Sequence, residues 1–246
     1  MLKEGNIIYK YFDYSRNQDG RQYATYLGVF AKTTILFSLL FAISYYYYTN
    51  TVVEGNEAIL FGAIIGAPLI AFFSIKYSIE FPKATILLSI SFVAAEGVFI
   101  GYLCAFLEYV FNSSIVYTAF LATLSVIGGT LFLYITGLLR INEYYKKVLF
   151  TVIVGGIIFY LVTNFFPTFT FSNYEDFEII IAGIVVISSS LILVYDYQRV
   201  TNYVQAEAPK NTEWSLGLGL LVNVIWVFVY MLYFLLLLTT FGKKIR

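Results

Sequence analysis

The chain has 246 residues, of which 60% are hydrophobic, 20% aromatic and only 12% charged; soluble domains carry roughly 25% charged residues, so too few charges remain here to cover a soluble surface and the composition specifies a membrane protein. Fifteen Lys and Arg balance fifteen Asp and Glu for a net charge of zero, which argues against a nucleic-acid partner, since that would need a clustered basic face. A single cysteine, Cys104, excludes an internal disulfide, and the absence of histidine removes the commonest metal ligand, general base and near-neutral pH sensor.

The first 25 residues are polar and charged, with no apolar core and no small-residue cleavage site, so they read as a cytoplasmic tail rather than a cleaved signal. A helix needs about 20 mostly apolar residues to cross the hydrocarbon core of a bilayer. Seven runs meet that length: 26–48, 57–75, 84–107, 114–138, 148–166, 177–196 and 215–240. With their short loops they form one transmembrane domain over residues 26–241, followed by a basic tail at 242–246. The expected fold is all-α, a seven-helix bundle in which sequential helices are antiparallel neighbours. Small residues within the runs (Gly62 and Gly66, Gly97 and Gly101, and the pairs Gly128-Gly129 and Gly155-Gly156) are the usual signs of close helix packing.

Orientation follows from Lys and Arg. The tail carries Lys3, Lys10, Arg16 and Arg21, with Lys32 just inside the first run; the even loops carry Lys76 and Lys83, then Arg140, Lys146 and Lys147, then Arg199 and Lys210. The odd loops carry no Lys or Arg, and hold Glu54, Glu57, Glu108, Glu175, Asp176 and Glu178. The N-terminus and even loops are therefore expected on the cytoplasmic side of a cell membrane, and the C-terminus outside. The basic end Lys243-Lys244-Ile245-Arg246 disagrees with that count. Either it crosses under the upstream bias or the last run, with Gly217, Gly219 and Asn223, re-enters and returns; a full span is the reading adopted.

Ionisable groups inside a membrane segment are costly and usually mark a path or a binding site. Glu96, in Ala94-Ala95-Glu96-Gly97-Val98-Phe99-Ile100-Gly101, is the one acid deep within a run. It reads as a cation ligand or proton acceptor, or as a protonated acid bonding between helices. Asp196 closes the sixth run. It either faces the interior as an ion-path or gating group, or emerges at the interface and pairs with Arg199 at i+3. Lys32 either snorkels to the interface or serves as counter-ion to Glu96 or Asp196. Asn223, polar at a depth where it needs a partner, either makes an interhelical hydrogen bond or serves as a ligand on the ion path or gate, while Trp226 and Tyr230 share its helical face as packing. Asp196 and Glu96 supply oxygen for at most a weak calcium site. No phosphate-binding loop, histidine-based zinc motif or Ser-His pair can be built, so neither an enzyme nor a resident cofactor is expected.

Four patches carry a resemblance to a known family: Lys32-Thr33; Ala95-Glu96-Gly97-Val98-Phe99-Ile100-Gly101; Arg140 to Lys147 with the following run; and Asp196 to Trp226, which contains Ala208-Pro209-Lys210, Glu213-Trp214 and Gly219-Leu220-Leu221-Val222. In order and spacing, the chain resembles the bacterial Bax-inhibitor-type membrane proteins of the transmembrane BAX inhibitor motif superfamily. The resemblance implies a bundle with the seventh helix central and six around it, and a passive calcium leak. It also implies a proton-sensitive latch between aspartates on the sixth and seventh helices. Asp196 matches the first aspartate; the second falls at or near Asn223. An Asp–Asn pair lacks the like-charge repulsion that raises one pKa of a carboxylate dyad, so pH sensing would rest on Asp196 alone or on Glu96. The expected function is a pH-sensitive calcium or cation leak channel gated near Asp196. The alternative is a non-conducting interaction protein that modulates a membrane protease or stress response through a membrane-protein partner. In both, the lipid bilayer is the medium and nucleic acid has no part.

Overall fold

The computed structural model describes residues 22–50, Gly66, Leu69, Ile70, Phe73, Tyr77, 84–111, 114–139, 141–165 and 174–244. Six helices are delimited among them: α1 (Tyr26–Asn50), α2 (Thr85–Phe111), α3 (Ile115–Ile135), α4 (Glu143–Phe165), α5 (Tyr174–Gln205) and α6 (Thr212–Lys244). The only β pairing in the described residues is an isolated antiparallel bridge, Tyr23 to Pro209. Five segments are long and apolar enough to cross a membrane: Tyr26–Asn50, Thr85–Phe111, Ile115–Ile135, Glu178–Gln205 and Thr212–Thr240. The expected run 57–75 lies outside the described residues apart from Gly66, Leu69, Ile70 and Phe73, which are helical. The expected run 148–166 falls within α4, where a shorter apolar helix spans Lys147–Gly156.

Helices suit these sequences because a segment in hydrocarbon must satisfy every backbone polar group internally. Embedded hydroxyls follow the same rule by bonding back to a carbonyl one turn earlier. Thr33 Oγ1 donates to Val29 O at 2.9 Å, Ser89 Oγ to Thr85 O at 2.8 Å, and Thr123 Oγ1 to Ala119 O at 2.8 Å. Exposure does not follow polarity. Leu27, Phe30, Phe41 and Tyr45 of α1 are exposed while Val29, Leu36 and Leu40 are buried. An apolar outer face is what a helix in lipid presents, and the buried stripe of Val29, Leu36 and Leu40 is set apart by spacing and not by polarity.

The residues divide into two compact units: Met1–Val110 with Arg199–Leu221, and Phe111–Gln198 with Val222–Arg246. In the first, α1 meets α2 at two glycines. A methyl group on Gly97 would lie 2.8 Å from Ile43 Cγ2, and one on Gly101 would lie 2.6 Å from Ser44 O and 2.7 Å from Tyr47 Cβ. Residue numbers rise together along the contact, so α1 and α2 run parallel. The start of α1 meets the start of α6 in the same sense. Gly28 abuts the Glu213 carboxyl, a methyl group on Gly217 would lie 3.1 Å from Thr33 Oγ1, and Val29, Leu216 and the α5 residue Val200 form a buried cluster. The paired glycines read from the sequence therefore differ in role. Gly97 and Gly101 are contact points, whereas an added methyl group at Gly128 or Gly129 meets nothing within 4 Å.

In the second unit α5 and α6 run antiparallel. Asp196 meets Asn223 and Glu178 meets Tyr233, and a methyl group on Gly183 would lie 3.5 Å from Phe234. Tyr145 of α4 donates its hydroxyl hydrogen to Leu191 O at 2.6 Å. Tyr197 reaches Ile127 O of α3 at 3.4 Å and packs on Tyr134 with ring centroids 5.8 Å apart.

Two details differ from the sequence reading. Helix α5 continues to Gln205, nine residues beyond Asp196, so Asp196 lies within the helix and not at its end. Helix α6 runs unbroken for 33 residues, about 50 Å at 1.5 Å per residue, so the chain does not turn back at Gly217, Gly219 or Asn223.

The α5–α6 connection is short and defined. Glu207 N–H donates to Val204 O and Ala208 N–H to Tyr203 O, both at 3.1 Å. This is a helix ending of the Schellman type, which calls for a left-handed residue at the position Glu207 occupies. Its φ is 54°, a conformation that costs a side-chain-bearing residue about 1–2 kcal/mol.

Candidate functional site

Two polar sites are built into the apolar bundle, one in each unit. The first joins α5 to α6. Asp196 is buried, and Asn223 donates an Nδ2 hydrogen to its Oδ2. Leu193 and Val194 on the turn before Asp196, and Ile225 and Val227 just after Asn223, are buried apolar neighbours in sequence. The aspartate and the asparagine identified from the sequence are thus brought together. Trp226 stacks on Tyr230 with centroids 5.6 Å apart and is 45% exposed. Arg199, the i+3 candidate, is exposed on the same helix.

An amide and a carboxylate match here because the carboxylate is an acceptor only, and Asn supplies the donor a buried Asp requires. A hydrogen bond to an ionised group is stronger than a neutral one. The strength of this bond between the two helices therefore depends on the charge of Asp196.

The second site lies where α1, α6 and the chain before α1 meet, and sequence reading did not assemble it. Glu213 is 1% exposed. Its Oε2 takes Lys32 Nζ at 2.5 Å, and its Oε1 accepts from Thr25 N–H at 2.8 Å and Thr25 Oγ1 at 3.2 Å. Lys32 also donates to Lys210 O at 3.4 Å and lies 5.4 Å from the centre of the Trp214 ring. Lys32 is thus neutralised by Glu213, a third acid beside the two considered for it. The signal was present in the sequence: a lysine two turns into one apolar run and a glutamate at the start of another. Without the knowledge that α1 and α6 begin side by side, nothing joined them. Glu213 in the first turn of α6 is also favourably placed against the helix dipole.

Glu96 sits in the first unit, 8% exposed on α2 between Val93 and Ile100, next to the Gly97 contact with α1. Further acid–hydroxyl pairs join helix ends: Tyr48 donates to Glu108, and Tyr233 to Glu178. Among the described residues no three Cys, Asp or Glu side chains gather as a set that could hold a metal ion. Among these residues a divalent cation would meet isolated carboxylates and not a closed cage, a weak site given calcium's demand for six to eight oxygens.

A family model described as "Bax inhibitor 1 like" matches residues 7–240, nearly the whole chain. No curated protein and no solved structure matches it.

Proposed function

We propose, from the premise that this chain belongs to the Bax inhibitor 1 like family of membrane proteins, that it is a passive cation leak, with calcium as permeant and Asp196–Asn223 as the gate. The observation that carries this reading is the buried carboxylate of Asp196 held by Asn223 across the α5–α6 contact. Such a bond closes two helices against each other, and its loss lets them part. Glu96 offers a second oxygen site on α2. Isolated carboxylates suit conduction, which needs sites weak enough to release the ion.

The gate responds to protons through one group. While Asp196 is ionised, the amide bond is charge-assisted and the contact closed. Protonation as pH falls removes that assistance, so the leak increases toward acid. Asn223 supplies no second charge, so the response lacks the repulsion of a two-aspartate latch.

The chain passes the membrane seven times, with the N-terminus cytoplasmic and the C-terminus outside. Supporting this, α1 is parallel to both α2 and α6 at their glycine contacts. Six crossings in sequence would leave α1 and α6 antiparallel; one more crossing, between α1 and α2, makes both relations parallel. The Lys and Arg distribution supports the cytoplasmic assignment.

The test is calcium entry into dye-loaded proteoliposomes over a pH series, wild type beside Asp196→Asn. Flux that rises toward acid in the wild type and becomes pH-independent in the variant supports the gate. No flux above empty vesicles at any pH would refute the leak and leave a non-conducting interaction protein.

A further inference from the structure

We propose that Gln22–Thr25 is a detachable strap that closes over the α5–α6 turn, and that Glu213 is the residue on which it locks. Four contacts define the closed strap. Ala24 N–H donates to Ala208 O at 2.7 Å, and Lys210 N–H donates to Gln22 O at 2.9 Å, so that Tyr23 and Pro209 face each other as a bridge pair. Lys210 Nζ donates to Gln22 Oε1 at 2.9 Å. At the far end Thr25 gives Glu213 Oε1 its two hydrogen bonds.

The hold is polar. Of the strap's side chains only Ala24 is buried, while Tyr23 is 48% exposed. The Gln22, Ala24 and Lys210 hydrogen bonds exchange for bonds to water at small net change, whereas the two Thr25 bonds to the buried Glu213 carboxylate are the costly ones to lose. Little apolar burial resists release, in contrast to the α1–α6 contact beneath, where Val29, Leu216 and Val200 pack together.

Glu213 divides its two oxygens between two jobs. Oε1 serves the strap and Oε2 serves Lys32 of α1. Opening the strap removes the partners of one oxygen and leaves the ion pair intact. The strap can therefore move without unpairing α1 and α6, which makes it a two-state element and not just a helix cap. The receiving turn fits this role. Glu207 is held left-handed, and that geometry presents Ala208 O and Lys210 N–H outward as the edge on which the strap pairs. Local strain of this sort persists only where surrounding contacts over-determine it.

The bridge pair supplies its own test. Tyr23 and Pro209 are a non-hydrogen-bonded antiparallel pair, for which Cα atoms lie about 4.5 Å apart, inside the roughly 4.4–6.8 Å range of a disulfide. Full-length protein carrying Tyr23→Cys and Pro209→Cys, with Cys104→Ala, is treated in membranes with a mild oxidant. Remaining thiols are then counted by a maleimide mass tag after denaturation. We expect rapid, near-complete protection of both cysteines. Glu213→Leu should slow that protection at least tenfold, and Glu213→Gln, which keeps an acceptor oxygen, should restore part of it. Thr25→Pro removes both donors that the strap gives Glu213 Oε1, at an exposed position and with Glu213 itself left in place, and should also slow it. The proposal is overturned if the cysteine pair does not oxidise, or if it oxidises at an undiminished rate in both Glu213→Leu and Thr25→Pro. The readout does not depend on ion conduction, so it stands or falls apart from the leak.

Discussion

Replacing Lys32 with Met tests the central electrostatic claim. At 2.5 Å separation and an effective dielectric of about 20, the gross attraction between Lys32 and Glu213 is about 7 kcal/mol. Desolvation of both groups offsets most of that. Deleting one partner, however, leaves the other charge buried, and such losses run to about 3–5 kcal/mol. Lys32→Met retains most of the stem's apolar packing, so the loss isolates the charge. Glu213, 1% exposed, would keep only the two Thr25 bonds. With about 2–4 °C per kcal/mol for chains of this size, the unfolding midpoint should fall by about 6–20 °C. The protein carries its own reporter, since its one cysteine, Cys104, is 5% exposed. A thiol-reactive fluorogenic maleimide will therefore register unfolding as Cys104 becomes accessible. The double variant Lys32→Met/Glu213→Leu removes both charges and should recover most of the loss, because a buried ion pair replaced by apolar groups is often neutral. A single variant that melts with the wild type, or a double variant as unstable as the single, would refute the reasoning.

Gly101→Ala should destabilise by about 1–3 kcal/mol through overpacking against Ser44 and Tyr47. Gly128→Ala, facing open space, should be neutral or gain about 0.5–1 kcal/mol; the same melting assay separates them. Glu207→Gly should raise the midpoint by relieving the left-handed strain, worth about 1 kcal/mol, and a fall would show that the Glu207 side chain does more than occupy the turn. Single cysteines replacing Thr49 and Glu108 should label from the same side of sealed vesicles, and one replacing Lys210 from the opposite side. Labelling of Thr49→Cys and Glu108→Cys from opposite faces would contradict the parallel arrangement of α1 and α2. Asp196→Ala should leave the Asn223 amide without its acceptor, lowering stability by about 1–3 kcal/mol in the same melting assay.

The amino-acid sequence by itself determined that this is a multi-pass helical membrane protein of the Bax inhibitor 1 like family. Hydrocarbon admits one kind of segment, long and apolar, and composition reports it directly. The sequence also singled out Asp196, Glu96 and Asn223, because polar atoms inside apolar runs are conspicuous. What it could not supply was partnership. Contacts between helices in an all-apolar bundle follow from shape. Gly97 and Gly101 look like Gly128 and Gly129 in the sequence, yet only the first pair is pressed against a neighbour. Glu213 sat in a recognised patch without a role, since its partners Lys32 and Thr25 lie 181 and 188 residues away. The tertiary structure decided that α1 and α6 start side by side and run in parallel. That placement turns a lysine and a glutamate, each unfavourable when buried alone, into a matched pair with a strap closed over it.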